Sequence, residues 1–442
     1  MPLKTYTTTA EKALPVERLG EILMDFQTTD LPKLKKLGNY YIGKQDILYK
    51  EPIDDGRPNH IVIVNYCRQI TNTFEGFITG NPVTFNGENL DEVQDILSYN
   101  DIQDFCSEFL KSSLIYGRSF AINYIDGEGK QRLALLPSTE CIPVYSPDVE
   151  KKLLYVIRFY VDTSSGNLVT DEKYRVEVYG ERDTVIYASQ PGFETFMEID
   201  RQPNYFEQCP VTVFSLNSEE QGIFDPIMTL QNAVNDLMSG SLDSFSDFAD
   251  AYLVLQGMTA DENDLADMKK HRCILLDGEE HCNASFLTKN ISDTQVNDIL
   301  ENLNEKIYAI AQCPDFTSPQ LFGNASSGVA LRYKLLNFEN LASTIENRMR
   351  KALQRIIELI CAILNLSAEE ATWRDVEIIF TENLPVDMSE TVNLVNALRG
   401  VVSQETLLAQ LPFIQDAEEE LKKLRAEEKE TLNIYNLGED EE

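Results

Sequence analysis

The sequence lacks several features that whole classes of protein require. No run approaches the ~18 consecutive apolar residues of a membrane span, and the first residues, "MPLKTYTTTAEKALPVERL", lack the apolar stretch of a signal peptide. We therefore expect a soluble protein that is made in the cytoplasm and has no membrane partner. The eight cysteines are scattered and form no C-x-x-C pair, which indicates free thiols in a reducing compartment.

Residues that commonly carry catalysis are also scarce. The chain has three histidines and no G-x-S-x-G motif, so a nucleophile activated by histidine is not predicted. Asp and Glu number 73, and counting alone leaves a carboxylate-dependent nuclease open, although no compact acidic motif stands beside a predicted strand. We expect no enzyme activity, no cofactor and no metal.

Positive charge is the third shortage. Lys and Arg number 38 against 73 acidic residues, for a net charge of −35. A protein that grips DNA by its phosphates needs a strongly basic surface, and this chain as a whole would repel DNA at low salt. The charge weighs against a protein that grips DNA, but it does not weigh against a protein past which DNA must slide.

One stretch, "GNYYIGKQ" at residues 38–45, has the G-x-x-x-x-G-K spacing of a phosphate-binding loop. Such a loop needs a buried strand before it and a Ser or Thr after the lysine to hold magnesium. Here Gln45 follows Lys44, two tyrosines fill the loop, and the preceding "TTDLPKLKKL" is charged. The pattern indicates a tight turn in a helical region with aromatic anchors.

The first half of the chain predicts an α+β region over residues 1–225. Helical periodicity dominates to residue 116, with a break at "GNP" (80–82) and a helix stop at Gly117. The period then changes to two, and "RSFAINYIDGEGKQRLALLP" predicts a hairpin that turns at Asp126 and Gly127. The stretches "LLYVIRFYVD", "EKYRVEVYG", "DTVIYAS" and "CPVTVFSLN" continue as strands.

The second half predicts three long helical segments. The first begins near Pro226 and runs to residue 256 or 257, with Ile227, Val234 and Phe245 in its apolar stripe. A β insert (258–290) turns around Asp277 and Gly278, and a second helix follows within 291–312. After a Pro, Ser and Gly-rich loop (313–327), a very long helix occupies 328–366, and residues 367–442 add the strand "DVEIIF", charged helices and an acidic tail.

Acidic residues recur on one face of the first two helices. Their positions are Asp236, Asp243, Asp247 and Asp250 on the first helix, and Asp298, Glu301 and Glu305 on the second. Asp is a poor helix former and like charges at i,i+4 repel, so the stripe is unfavourable locally. It is either an ordinary solvated face or the lining of a channel that keeps a polyanion from sticking.

Three small clusters remain. His271, Cys273, His281 and Cys282 invite a zinc hypothesis, but their spacing is not that of known zinc sites, and ordinary hairpin side chains are the alternative. The basic stretch "MKKHRC" contains Lys269 and Lys270 and is either a solvated turn or a contact for DNA or an acidic partner. On the third helix, Arg348, Arg350, Lys351 and Arg355 are expected to form ion pairs.

The order of these elements resembles the portal proteins of tailed bacteriophages, of the type common in long-tailed phages of Gram-positive bacteria. Stretches that match the family's look are "YYIG" (40–43), "GNP" (80–82), "YGRSFAINYIDGEG" (from 116), "SSGVALRYKLLNFEN" (from 326), "VEIIFTENLPVD" (from 376) and "VVSQETLLAQLPFIQDAEEELKKL" (from 401). The first long helix departs from the pattern, since "LQNAVNDLMSGSL" lacks the Tyr-Asn that often appears there.

The resemblance implies a dodecameric ring at one capsid vertex through which double-stranded DNA is packaged and ejected. It implies a wing (1–225), stem helices (226–257 and 291–312), a clip (258–290), a tunnel loop (313–327), a long wing helix (328–366), and a wing strand with crown helices (367–442). The implied partners are terminase, a head-completion adaptor, and capsid and scaffolding proteins, and the implied location is the virion. The alternatives are a phage head nuclease and a connector ring that only bridges proteins.

The resemblance also assigns roles to residues. Facing the DNA in the tunnel loop would be Thr317, Ser318, Gln320, Asn324, Ser326 and Ser327. Transient phosphate contacts would come from Arg332, Lys334, Lys269 and Lys270, with His271 and Arg272 also in the clip. The acidic stripes would line the bore, and the ATPase of the machinery would be a separate terminase subunit.

Overall fold

A computed structural model describes most of the chain. The described residues are 3–9, 13–52, 58–87, 90–162, 173–249, 252–256, 283–287, 293–318, 328–366, 372–382, 395–408, 411, 414, 417 and 420–426. The chain divides into two compact units, Met1–Glu382 and Asn383–Glu442. Within the described part no helix is both long and apolar enough to cross a membrane. The described cysteines, Cys67, Cys106, Cys141, Cys209, Cys313 and Cys361, are buried free thiols.

Helices form the first part of the larger unit, as predicted. They are α1 (Val16–Tyr41), α2 (Tyr66–Ile78), α3 (Asp91–Tyr99) and α4 (Ile102–Tyr116), with a short 3-10 helix at Asp46–Tyr49. Asn65 caps α2 by accepting a hydrogen bond from the backbone N–H of Arg68. Gly117 ends α4 in the left-handed conformation with φ of 81°, which confirms the predicted helix stop.

The stretch that resembles a phosphate-binding loop is the end of α1. The backbone N–H of Ile42 donates to the carbonyl of Gly38, and that of Lys44 donates to the carbonyl of Asn39. Tyr40 is completely buried. The prediction of a turn with aromatic anchors is confirmed, because these backbone donors are already engaged and a helix, not a strand, precedes them.

Two sheets follow. The strands are β1 (Tyr6–Thr7), β2 (Thr84–Asn86), β3 (Arg118–Ile125), β4 (Gln131–Leu136), β5 (Cys141–Tyr145), β6 (Leu153–Val161), β7 (Tyr174–Tyr179), β8 (Asp183–Ser189), β9 (Phe196–Pro203) and β10 (Val211–Ser215). The larger sheet has the order β1-β5-β6-β7-β8-β9, and the smaller sheet has the order β10-β3-β4. The predicted hairpin is β3 and β4. The strands β1, β2, β5 and β9 were not predicted, and β2 belongs to neither of these two sheets.

Three further helices complete the larger unit. They are α5 (Met228–Ala249), α6 (Asp293–Ala311) and α7 (Gly328–Leu366), and between the first two lie strands β11 (Tyr252–Gln256) and β12 (Asn283–Leu287). The prediction that the first long helix continues to residue 256 was therefore wrong at its end. The apolar run "YLVLQ" pairs antiparallel with β12, and a short apolar run fits a helix and a strand equally well until its partner is known.

Helix α7 packs against the N-terminal helices and the smaller sheet. The Phe338 ring lies 4.7 Å from the ring of Phe74, measured between centroids. The predicted strand "DVEIIF" is β13 (Glu377–Ile379), which pairs antiparallel with β2. In the second unit, α8 (Gln404–Leu408) follows Ser403, whose hydroxyl accepts a hydrogen bond from the N–H of Thr406. The turn predicted at Asp277 and Gly278 lies outside the described residues.

Candidate functional site

The predicted helix–insert–helix arrangement is present as α5, the β11–β12 pair and α6. In the ladder between the two strands, Tyr252 lies opposite Leu287 and Gln256 lies opposite Asn283. The pairing therefore brings the end of α5 close to the beginning of α6. The two helices also contact each other directly. This helix pair is the candidate site, because it carries both acidic stripes.

Helix α5 binds the segment of residues 60–66 through a row of polar side chains, which we call the polar ladder. Four side chains spaced four residues apart accept hydrogen bonds from the backbone N–H groups of alternate residues, in the pairs Gln231–Tyr66, Asn235–Val64, Ser239–Val62 and Asp243–His60. Four helical residues rise ~6 Å, and two extended residues span ~6.6 Å. The spacing of these side chains along α5 therefore nearly equals the spacing of alternate N–H groups along the segment, which allows four successive hydrogen bonds.

The polar ladder is buried. Gln231, Asn235 and Ser239 are fully inaccessible to solvent, and their hydrogen bonds to the segment are each 3.0 Å long. The Asn235 amide also donates to the side chain of Gln45, which is itself buried. Buried polar groups are tolerated only when they are paired, so this face of α5 fits one neighbour and one register.

Asp243 ends the polar ladder and is closely paired. Its carboxylate accepts hydrogen bonds from Lys50 Nζ at 2.7 Å and from the His60 backbone N–H at 2.6 Å, and it lies 2.9 Å from His60 Nδ1. Partial desolvation alone would raise the pKa of Asp243, but these hydrogen bonds outweigh it and lower the pKa to about 2. The carboxylate thus differs from the freely solvated group that the acidic stripe suggested.

The other acidic residues of α5 have different surroundings. Asp236 is exposed and lies two helical turns before Asp243, on the same side of the helix. Asp247 lies in the last turn of α5. Asp250 lies outside the described residues.

Helix α6 has one buried and one acidic face. Ile307, Tyr308 and Ala311 are buried, and the Tyr308 ring packs against that of Tyr66 with the centroids 5.8 Å apart. The three carboxylates predicted on this helix, Asp298, Glu301 and Glu305, are all exposed. Helix α6 therefore presents a solvated acidic strip over the two turns from Asp298 to Glu305.

Large apolar side chains are also exposed on these helices. Phe245, a member of the predicted apolar stripe of α5, is 75% exposed. Leu242 on α5 and Ile299 and Ile310 on α6 are likewise exposed. Large apolar side chains left exposed on one helix pair are consistent with a protein–protein contact.

The described part of the predicted tunnel loop begins with a local turn. Asp315 accepts hydrogen bonds from the backbone and hydroxyl of Thr317, and its carbonyl accepts one from the Ser318 N–H. Arg332 lies near the start of α7, and Lys334 follows it with an exposed side chain. The predicted residues Gln320, Asn324, Ser326, Ser327, Lys269, Lys270, His271 and Arg272 lie outside the described residues.

The four residues of the zinc hypothesis also lie outside the described part of the chain. They are His271, Cys273, His281 and Cys282. Among the residues that the structure does describe, no group of three or more His, Cys, Asp or Glu side chains is placed to hold an ion. The geometry of the candidate site is therefore that of a packed helix pair with an acidic outer strip.

Sequence reasoning missed the residues that organise α5. Lys50 and His60 lie far from Asp243 in the chain, and no local pattern links them. The polar ladder did have a signal, since Gln231, Asn235 and Ser239 recur every four residues beside the apolar stripe. A polar stripe at helical spacing next to an apolar one can be searched for as a docking face.

Comparisons with known proteins identify the family of the chain. A family model described as phage portal protein, SPP1 Gp6-like, matches residues 21–433. The portal protein of Bacillus phage SPP1 is 25% identical over 430 residues, covering 92% of this chain and 83% of the relative. The portal protein of Clostridium phage phiCD119 is 22% identical over 420 residues, covering 88% and 91%.

Among solved structures, the neck of an empty gene transfer agent particle matches with a TM-score of 0.48 and 11% identity, over 78% of this chain and 89% of that one. The family match is the decisive finding, since it extends over most of the chain and includes both stem candidates, α5 and α6. The chain belongs to the family of phage portal proteins of the SPP1 Gp6-like type.

Proposed function

We propose that this portal protein closes into a ring of identical copies, twelve as the family resemblance implies, at one vertex of the capsid. Double-stranded DNA passes through the central hole during packaging and ejection. The observation that carries the proposal is the family match over residues 21–433. The exposed acidic strip of α6, which is suited to lining such a hole, supports it.

The acidic strip gives the proposed channel its physical character. Asp298, Glu301 and Glu305 repeat in every copy, so a ring that turned α6 inward would present successive bands of negative charge. Screening limits electrostatic repulsion to ~8 Å at physiological salt. DNA would therefore be kept from adhering to the wall while moving freely along the axis.

The acidic residues of α5 have two different roles in this proposal, lining the channel and securing a neighbouring segment. Asp236, which is exposed, is assigned to the lining, and so are Asp247 and Asp250 by their position along the same stripe. Asp243 adds little negative charge, because the Lys50 ammonium lies 2.7 Å from its carboxylate. Its role is to secure the segment that braces α5.

Ring closure also accounts for the exposed apolar side chains. Neighbouring copies in a ring meet through two different surfaces of the same chain. Phe245 and Leu242 on α5, and Ile299 and Ile310 on α6, would be covered by adjacent copies. Burial of such side chains at an interface contributes about 25 cal/mol for each Å² of apolar surface removed from water.

The tunnel loop and the scattered cations supply transient contacts with DNA. Thr317, Ser318, Gln320, Asn324, Ser326 and Ser327 are assigned to the loop, and Arg332, Lys334, Lys269 and Lys270 to weak phosphate contacts, with His271 and Arg272 at the clip. The partners are terminase, a head-completion adaptor, and capsid and scaffolding proteins. Copies assemble in the host cytoplasm and then form part of the virion.

The role is structural and not enzymatic. A conduit requires a smooth acidic wall and stable contacts between copies, and the residues of α5 and α6 are suited to both. In this proposal the energy for DNA movement comes from the separate terminase ATPase.

Retention of a short DNA duplex by purified rings tests the channel assignment. We compare the wild type with a triple variant, Asp298→Lys, Glu301→Lys and Glu305→Lys. A matched control carries Glu150→Lys, Glu194→Lys and Glu219→Lys, three exposed carboxylates outside α6. Only the α6 variant should retain the duplex at low salt and release it as salt rises.

Equal retention by the α6 variant and the control would contradict the channel assignment, because both variants change the net charge by the same amount. Retention by wild-type rings at low salt would contradict the proposal that DNA slides without being held.

A further inference from the structure

The smaller sheet has two opposite edges, and helix α7 crosses from one to the other. Arg355 of α7 reaches the carbonyl of Cys209, just before edge strand β10. The Asn123 side chain on central strand β3 donates to the carbonyl of Ile356, and Gln131 on edge strand β4 donates to the carbonyl of Ile360. The β10 edge and the β4 edge of this sheet therefore lie on different sides of α7.

A basic cleft lies at the β10 edge. It is bounded by strand β10, the turn between β5 and β6, and one face of α7, and its cations are Lys151, Arg348, Lys351 and Arg355. The last three are spaced three and four residues apart, so they share a face of the helix. Four cations around one cleft form a local positive patch in a chain with a net charge of −35.

Most of these cations lack acidic partners. Within the described part of the chain, no ion pair involves Lys151, Arg348 or Lys351. Arg355 is the exception, because its guanidinium lies 2.8 Å from Glu358 and also bonds to the Gln208 side chain. Ion pairs were expected for Arg348, Arg350, Lys351 and Arg355 of this helix, and among the described residues only Arg355 forms one.

The floor of the basic cleft is apolar except for one hydroxyl that makes no hydrogen bond among the described residues. Leu153, Val213 and Ala352 line it, and so does Thr212, whose Oγ1 is buried without a hydrogen-bond partner among the described residues. An apolar centre with a polar, arginine-containing rim is typical of protein–protein interfaces. The cleft lies along the middle of α7 and not at a helix N-terminus, where phosphate groups commonly bind. Carboxylates carried by a protein surface therefore fit it better than an isolated phosphate.

A matching acidic surface lies at the opposite edge of the sheet. We call it the acidic shoulder, and it consists of the exposed residues Asp91, Asp95, Asp101 and Asp104 on α3 and the start of α4. No ion pair involves these four residues in the part of the chain that the structure describes.

Hydrogen bonds hold the acidic shoulder in place. Asn100, between α3 and α4, donates to the carbonyl of Gln131 and accepts from the N–H of Leu133, both on edge strand β4. The acidic shoulder is thereby fixed to the β4 edge, across the sheet from the basic cleft.

We infer that the basic cleft of one copy receives the acidic shoulder of the next copy. This inference rests on the proposed ring and names the contact that builds it. A head-to-tail ring requires two different complementary patches on each chain, placed on different sides. Opposite charges at the two edges of one sheet meet that requirement, and they offset the repulsion between chains that are each strongly negative.

Charge reversal followed by mixing tests this contact. One variant carries Arg348→Glu and Lys351→Glu in the basic cleft, and another carries Asp95→Lys and Asp101→Lys in the acidic shoulder. A control, Lys35→Glu and Lys44→Glu, changes two exposed lysines elsewhere. Native mass spectrometry measures the rings, and circular dichroism with thermal melting checks that each variant is folded.

Each reversed variant alone should need roughly a hundredfold higher concentration to assemble, because like charges now face each other. An equimolar mixture should form rings in which the two variants alternate, because each then finds an opposite charge on its neighbour. The control should assemble as the wild type does.

The inference is overturned if the cleft variant alone forms rings as readily as the wild type, or if folded variants fail to rescue each other. Normal rings of the cleft variant with altered DNA retention would instead indicate a nucleic-acid contact. These results leave the proposed function intact, whereas failure of the wild type to form rings contradicts the proposed function itself.

Discussion

The side-chain oxygen of Asn235 accepts a hydrogen bond of 3.0 Å from the backbone N–H of Val64, 171 positions earlier in the chain. No local sequence pattern links these two residues, yet their contact lies in the middle of the polar ladder that braces α5. Because α5 carries part of the proposed channel lining, the position of that lining depends on a row of buried polar contacts.

Replacing Asn235 with leucine should destabilise the protein by about 2–4 kcal/mol, because the Val64 N–H and the Gln45 side chain both lose a buried partner. Chemical denaturation followed by circular dichroism measures the change. The control is Asn302→Ala on the exposed side of α6, where a change under about 0.5 kcal/mol is expected. Equal effects of the two substitutions would contradict the bracing role of the ladder.

Replacing Asp243 with asparagine should lower stability at neutral pH by roughly 1–2 kcal/mol, since the carboxylate is stabilised by Lys50 and His60. The folded-state pKa of about 2 lies below the ordinary value of 3.8. The stabilisation is therefore complete above the ordinary value and is lost as pH falls toward 2. Asp236→Asn on the same helix face is the control, and a pH-independent difference between Asp243→Asn and wild type would refute the assignment.

Glu346 on α7 is predicted to make the protein less stable as pH rises. Burial, with the nearby carboxylate of Glu382, raises the pKa of Glu346 to about 7 despite the opposing effect of Arg350. The folded state keeps the proton while the unfolded state releases it, so stability falls between pH values of about 4.5 and 7.

The variant Glu346→Gln should therefore be more stable than wild type by about 1–3 kcal/mol above neutral pH and nearly equal to it in acid. Thermal melting across this pH range measures the difference. Glu150→Gln, at an exposed position, should show no such dependence. Equal pH profiles for Glu346→Gln and wild type would exclude a raised pKa at this position.

Gly117→Ala should destabilise the junction between α4 and β3. A Cβ atom there would lie 2.2 Å from the carbonyl oxygen of Glu220, and the residue has a φ of +81°. We expect a loss of at least about 2 kcal/mol in the free energy of unfolding. Gly127→Ala is the matched control, because nothing lies within 4 Å of a Cβ at that position. A neutral result for Gly117→Ala would contradict the packing of this turn.

Local patterns predicted the parts of this fold that depend on local chemistry. Helix α6 begins at Asp293, within the range 291–312 predicted for it, and α4 ends at Gly117 as expected. The hairpin of β3 and β4 followed from an alternating pattern around Asp126 and Gly127. In each case the stabilising contacts join residues that are close in sequence.

Contacts between distant residues could not be predicted from the same patterns. Strand β1 is two residues long and pairs parallel with β5, with Tyr6 opposite Val144. Strand β11 was predicted as helix, because only its partner β12 decides between the two structures. The exposed side chain of Phe245 has a similar cause, since an apolar residue on a helix can face a core or another copy.

The proposed function depends on ring formation and on which face of α6 is turned toward the centre of the ring. Cryo-electron microscopy of the purified full-length protein is the decisive measurement. The account predicts closed rings with a central hole, and Asp298, Glu301 and Glu305 of every copy facing that hole. A protein that stays monomeric at all concentrations and salt conditions, or rings in which this strip faces outward, would contradict it.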